Sequence, residues 1–261
     1  MQLVSRLQTS GINPYFRSSE SIADEIRNQI FPVCSSVDEV FFYGAGITNI
    51  SKEEVVHRAF CQLWPGIKGH YFSDLLGAAR AVYGSQPGVI CILGTGSNAG
   101  YFNGQQLIDR CSPLGFVLGD EGSGAVLGRD LVADFFKQIM PADLREKFRH
   151  NYPVTEQQVL DKVYHGERPN RYLAGFCRFL SANAEHPYCR EFLYTRFLAF
   201  VKRNVMQLDF PKDLPVSFVG SIAFYFRDIL QSVVADQGLV CGEIVLGPIE
   251  GLAAFHAIKL S

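Results

Sequence analysis

Apolar residues along this chain change their spacing from segment to segment, and the changes mark out its elements. Residues 19–30 place Ile22, Ile26 and Ile30 on one helical face behind an N-cap at Ser18 or Ser19. Residues 37–43 form a short apolar run that stops at Gly44-Ala45-Gly46, as a strand would. Ser51-Lys52-Glu53-Glu54 reads as a capping box, with Val55, Ala59, Phe60 and Leu63 following at helical spacing. A helix over about 75–82 leads into Val89-Ile90-Cys91-Ile92-Leu93, a buried strand. Asn103-Gly104 signals a hairpin between Tyr101 and Ile108.

Residues 123–209 are mostly helical in pattern, with breaks at Pro141, Pro153, Pro169 and Pro187. A strand at 216–219, a helix at 222–234, a strand at 243–246 and a helix at 250–259 complete the chain. Strands alternating with helices predict an α/β fold with largely parallel sheets.

Composition narrows the class. The 261 residues allow one large or two modest domains, and 48% hydrophobic with 19% charged residues describes an ordinary globular protein. A net charge of -2 gives no footprint for nucleic acid or an anionic membrane. The seven cysteines are dispersed, with no Cys-x-x-Cys pair, and neither they nor the six histidines show metal-ligand spacing. Reduced thiols, no signal core and no long apolar stretch lead to the expectation of a cytoplasmic protein without metal-ligating residues.

Two glycine turns carry the candidate chemistry. Leu93-Gly94-Thr95-Gly96-Ser97-Asn98 ends the buried strand, and its glycines permit close approach while Thr95 and Ser97 add hydroxyls. Gly119-Asp120-Glu121-Gly122-Ser123 places two carboxylates at the expected opening of a helix, where a capping role is the plain alternative. The first turn suits a phosphate, and the second offers acceptors to a polyhydroxylated ligand. A dinucleotide fingerprint fails at Gly94-x-Gly96 because a hairpin, not a helix, follows. No Gly-Lys-Ser/Thr exists for a Walker A loop.

Ser73-Asp74-Leu75-Leu76-Gly77-Ala78-Ala79, the 93–98 turn and Leu118-Gly119-Asp120-Glu121-Gly122-Ser123 occur in an order that resembles N-acetylglucosamine kinases. These belong to the BadF/BadG/BcrA/BcrD ATPase group of the actin, sugar kinase and Hsp70 superfamily. Gly11-Ile12-Asn13-Pro14, Ala174-Gly175-Phe176-Cys177 and Val219-Gly220-Ser221-Ile222-Ala223 extend the resemblance from about residue 9 to the C-terminus. It implies a kinase that uses ATP and Mg2+ to phosphorylate an amino sugar, with the 6-hydroxyl of N-acetylglucosamine as the foremost acceptor. N-acetylmuramate or glucosamine are alternative substrates. A homodimer is one arrangement to be expected.

By the same resemblance Asp74 is the general base, although Asp74 or Ser73 also suits a helix cap. Asn13, Leu114, Gly115 and Asp120 would line the sugar site with Asp74, while a loop asparagine is equally turn chemistry. Glu121 could orient Asp120, support a metal's water shell or face solvent. Thr95, Gly96 and Ser97 resemble the second phosphate loop. Gly175, Gly220 and Ser221 would offer an adenine ring a surface free of side chains, or simply serve helix packing.

The implied fold is an actin-like ATPase fold of two ribonuclease H-like domains, the first lacking its initial strands. Residues 1–72 with 250–261 would form the small first domain and 73–249 the larger second. Residues 1–9 resemble the third strand of the first domain, after the hairpin whose Asp-x-Gly-x-Thr turn helps hold magnesium in the family. That pattern occurs nowhere in the sequence, so a non-catalytic sugar-binding protein is the alternative function.

Overall fold

The computed structural model of the protein describes residues 5–259. Its contacts divide into two compact units, Met1–Gly84 with Ile249–Ser261, and Ser85–Pro248. Among the described residues no helix is long and apolar enough to cross a membrane.

In the first unit the elements run α1 (Ser19–Gln29), β1 (Glu39–Gly44), α2 (Ile50–Cys61), β2 (Lys68–Ser73) and α3 (Asp74–Tyr83). Ser18 caps α1, and Ile22, Ala23 and Ile26 bury the predicted face against Val56, Ala59 and Phe60 of α2. The N-cap of α2 is Asn49, not Ser51: its side chain accepts from the Lys52 N–H at 3.1 Å. Asn49 is extended and supplies the acceptor two residues earlier, so the expected box is overtaken by a neighbouring cap residue. β1 and β2 pair in parallel, from Glu39 opposite Lys68 to Gly44 opposite Ser73. The strand expected at residues 1–9 falls partly outside the described residues. Residues 5–9 form no strand and join no ladder.

The second unit holds β3 (Gly88–Leu93), β4 (Ser97–Phe102), β5 (Leu107–Arg110), α4 (Gly115–Leu118), α5 (Gly124–Phe136), α6 (Ala142–Asn151) and α7 (Glu156–Tyr164). It continues with α8 (Pro169–Ala174), α9 (Cys177–Ala182), α10 (Pro187–Arg203), β6 (Pro215–Val219), α11 (Ser221–Tyr225), α12 (Arg227–Asp236) and β7 (Val240–Val245). The last helix, α13 (Ile249–Lys259), packs on α3 of the first unit.

The second sheet has the order β5-β4-β3-β6-β7. β3, β4 and β5 are antiparallel neighbours, whereas β6 and β7 run parallel to β3. Three antiparallel strands flanked by parallel additions make the ribonuclease H-like sheet. β3 lies at its centre with Val89, Ile90, Cys91 and Leu93 wholly buried, which explains its unbroken apolar run. Asn103 closes the β4–β5 hairpin, its side chain accepting from the Gln105 and Gln106 N–H groups. Phe148, Phe179, Phe197, Phe200 and Phe218 fill the core, each contributing about 1.5–3 kcal/mol of burial.

Candidate active site

The 94–96 turn joins β3 to β4, and the start of α5 holds it from behind. The N–H of Gly124 donates to the Gly94 carbonyl at 2.8 Å, and that of Ala125 to the Thr95 carbonyl at 3.0 Å. In a trans peptide the N–H points away from the carbonyl of the same unit. The amides of Thr95 and Gly96 therefore project away from α5, one after the other, as a pair of donors for an anion. Thr95 is exposed, so its hydroxyl is open to the same ligand. Ser97 differs: it is 8% exposed, and its buried hydroxyl has no hydrogen-bond partner. An orphaned hydroxyl beside two outward amides fits a phosphate-bearing cofactor.

Asp120 meets this turn directly. Its Oδ1 accepts the Ser97 N–H at 3.2 Å, and a Cβ on Gly96 would lie 3.1 Å from Oδ2. Asp120 has φ of 56°, a conformation that asparagine and aspartate adopt more readily than most side chains. It does not open a helix as expected. α5 begins at Gly124 behind Ser123, whose hydroxyl caps the Val126 N–H at 3.3 Å. Residues 120–123 form a turn instead, closed by the Ser123 N–H donating to the Asp120 carbonyl at 3.0 Å. Burial pushes the Asp120 carboxyl above its ordinary pKa; the Ser97 amide opposes the shift and Glu121 adds to it.

Glu121 does not face solvent. Arg203 donates to its Oε1 at 2.6 Å and Asn204 to its Oε2 at 3.2 Å, leaving its side chain 19% exposed. Asp120 and Glu121 thus take different work: one carboxylate is engaged, the other is half-buried with a single amide donor. Both border a cavity of about 210 Å3, with Ser97, Asn98, Cys111 and Leu114 among its walls. Leu114 is 57% exposed and precedes Gly115, the first residue of the short α4. Arg203 and Asn204 line this cavity too. The sequence reading passed over them because they end α10, far downstream, and no local motif marks them.

The expected nucleotide glycines gather around the same turn. A Cβ on Gly220 would lie 2.3 Å from the Leu93 carbonyl oxygen, and its φ of 128° is one that side chains rarely permit. Ser221, exposed, opens α11 directly after it. Ala174, the neighbour of Gly175, sits 3.1 Å from the Cβ position of Gly124, which is also 3.2 Å from the Gly94 oxygen. Gly175 caps α8 and is exposed. Thr95, Gly96, Ser97, Asp120, Gly175, Gly220 and Ser221 therefore surround one region of the second unit.

Asp74 and Asn13 belong to the first unit. Ser73 caps α3 through the Leu76 N–H at 3.2 Å, and Asp74 is the first helical residue. Its Oδ1 accepts the Leu75 N–H at 2.8 Å. Burial raises the Asp74 pKa, against backbone hydrogen bonds that lower it. Since Ser73 takes the cap, the second oxygen of Asp74 is not needed for it. Asn13 accepts the Tyr15 N–H on its Oδ1 at 2.9 Å, so the turn reading of this residue holds. Among the described residues no three His, Cys, Asp or Glu side chains are grouped to hold a metal ion.

No protein-family profile and no curated protein sequence matches the chain. A provisionally named N-acetylglucosamine kinase of Porphyromonas gingivalis is 39% identical at a TM-score of 0.94, over 99% of this chain and 92% of that one. A second so named, from Chromobacterium violaceum, shares 18% identity at a TM-score of 0.62 over 90% and 82% of the two chains. A ROK family glucokinase of Streptomyces griseus, solved with glucose and AMPPNP, shares 16% identity at 0.54 over 94% and 89%. The last two likenesses concern fold alone. The protein has the actin-like ATPase fold of two ribonuclease H-like domains. It belongs to the N-acetylglucosamine kinase-like family of the actin, sugar kinase and Hsp70 superfamily.

Proposed function

We propose that the protein is an ATP-dependent amino-sugar kinase acting on the 6-hydroxyl of N-acetylglucosamine. The observation that carries this reading is the hydrogen bond from the Ser97 amide to Asp120, which joins a turn that would bind an anion to a carboxylate with one amide donor. The Thr95 and Gly96 amides, with the Ser97 hydroxyl, would hold the phosphates, and the surface at Gly175, Gly220 and Ser221 would receive the adenine. Asp120 would accept hydrogen bonds from sugar hydroxyls, with Leu114 and Gly115 beside it. Asn13 would bind the sugar, as the resemblance implies. Asp74 would take the proton of the attacking hydroxyl, as phosphoryl transfer requires of a positioned base.

ATP supplies the transferable phosphoryl group. Mg2+ favours one or two carboxylates together with phosphate oxygens and water, and the described residues form no cage of their own for it. The test is ADP release from the purified protein with ATP, Mg2+ and separate additions of N-acetylglucosamine, glucosamine, N-acetylmuramate and glucose. N-acetylglucosamine should give the highest kcat/KM and a 6-phosphate by NMR. Faster turnover of another sugar would replace the substrate, and sugar binding without turnover would make this a sugar-binding protein.

A further inference from the structure

The loop that carries Asn13 is closed at its base by one largely enclosed ion pair. Arg17 and Glu25 have side chains 13% and 10% exposed, the most enclosed such pair among the described residues. The Glu25 carboxylate accepts from the Arg17 guanidinium, from the Ser10 N–H and from the Ser10 hydroxyl. Arg17 also donates to the Gly11 carbonyl at 3.2 Å and to the Ser21 carbonyl at 2.6 Å. Both ends of the loop, Ser10 and Arg17, therefore meet on a single carboxylate projecting from α1.

Within the loop the Asn13 carbonyl accepts the Phe16 N–H at 3.1 Å. On the far side a Cβ at Gly46, where φ is 86°, would come within 2.4 Å of the Asn13 Oδ1. The carboxamide is thus hemmed in by Gly46 and bonded to the Tyr15 amide through Oδ1. That bond fixes which end of the carboxamide is oxygen. The NH2 end of Asn13 then offers two donors.

We infer that Arg17 and Glu25 are positioning residues, holding Asn13 so that it meets the sugar as a hydrogen-bond donor to a substrate oxygen. This rests on the kinase reading given above. An ion pair adds little net stability whether exposed or enclosed, so its use at this place is accounted for by the geometry it imposes.

Two variants of the full chain test the inference: Glu25→Gln, which removes the charge, and Arg17→Lys, the milder change, which keeps the charge but loses the fork. Hydrogen exchange at the Tyr15 and Phe16 amides should quicken at least about tenfold, while the Ile26 and Ile30 amides of the α1 region stay protected. The sugar KM should rise about tenfold, with kcat and the ATP KM within about twofold of the parent. In an Asn13→Ala background the same substitutions should leave the sugar KM unchanged, because the group they position is gone. Unaltered exchange in both variants, or a KM penalty that persists in the Asn13→Ala background, overturns the inference. A parent protein that phosphorylates no hexosamine defeats the kinase reading instead, and the exchange measurement then still decides whether the pair holds the loop.

Discussion

The backbone amide of Ser97 donates to the carboxylate of Asp120 across 3.2 Å, so the turn that offers donors and the residue that offers acceptors are one hydrogen-bonded unit. A change in either is transmitted to the other without passing through the solvent. That coupling sets what each substitution below should do.

Replacing Asp120 by Ala removes the half-buried acceptor and frees the Ser97 amide. Sugar binding should weaken by about 1–3 kcal/mol, the usual cost of leaving polar groups unpaired. Nucleotide affinity should change far less. Titration calorimetry with each ligand separates the two, and a loss confined to the nucleotide would move Asp120 to the phosphate side.

Asp74→Asn keeps the Oδ1 acceptor for the Leu75 amide but cannot take a proton. In protein that shows kinase activity, kcat should fall at least about 10²-fold, with sugar affinity nearly constant. Steady-state kinetics and equilibrium binding measured together give the answer. Near-normal turnover would reduce Asp74 to a member of the first helical turn.

Asp120 also makes a prediction about stability and pH. Its folded pKa is raised by burial, so the protonated form is the one the fold prefers. That stabilisation is complete below the ordinary aspartate value of 3.8 and is lost as the pH climbs through the raised value. At neutral pH the parent therefore carries the cost of a buried charge. Asp120→Asn should raise Tm at pH 7, and the gain should disappear below about pH 3.8. A Tm difference independent of pH would mean that packing, not ionisation, separates the two proteins.

Gly220→Ala tests the close approach of α11 to the end of β3. The new Cβ would face the Leu93 oxygen at 2.3 Å in a conformation unfavourable to any side chain, and should cost at least about 2 kcal/mol. Gly238→Ala is the control: φ is 69° there too, but nothing lies within 4 Å, so the cost should be about 1 kcal/mol. Denaturant titration compares them. Equal losses would show that the backbone at Leu93 yields easily.

Much of this was legible before the coordinates. β3 announces itself because a strand buried on both faces needs an unbroken apolar run, and Asn103-Gly104 marks the hairpin that follows it. β2 went unseen: Lys68-Gly69-His70-Tyr71-Phe72-Ser73 has little strand character of its own and is held by its register against β1. The helix expected over 222–234 is two, α11 and α12, divided at Phe226. Phe226 is 4% exposed and keeps the apolar spacing intact, so the break leaves no trace in the pattern. At the site, resemblance pointed to the glycines and Asp120, but the partners of Glu121 come from the end of α10. Only tertiary folding brings them to it.

The paired amides of Thr95 and Gly96 are a property of the chain's path, not of its letters. Any residue at position 95 that leaves the turn intact will still present them, so variation there is a poor guide to whether the feature has been lost. A substitution at Gly124 is another matter. It lies outside the turn, yet its added Cβ would sit 3.1 Å from Ala174 and 3.2 Å from the Gly94 carbonyl, so the neighbours that aim both donors must give by a few tenths of an ångström. The letter to watch when relatives of this protein diverge is therefore the one at 124, 29 and 28 positions after the two amides it controls.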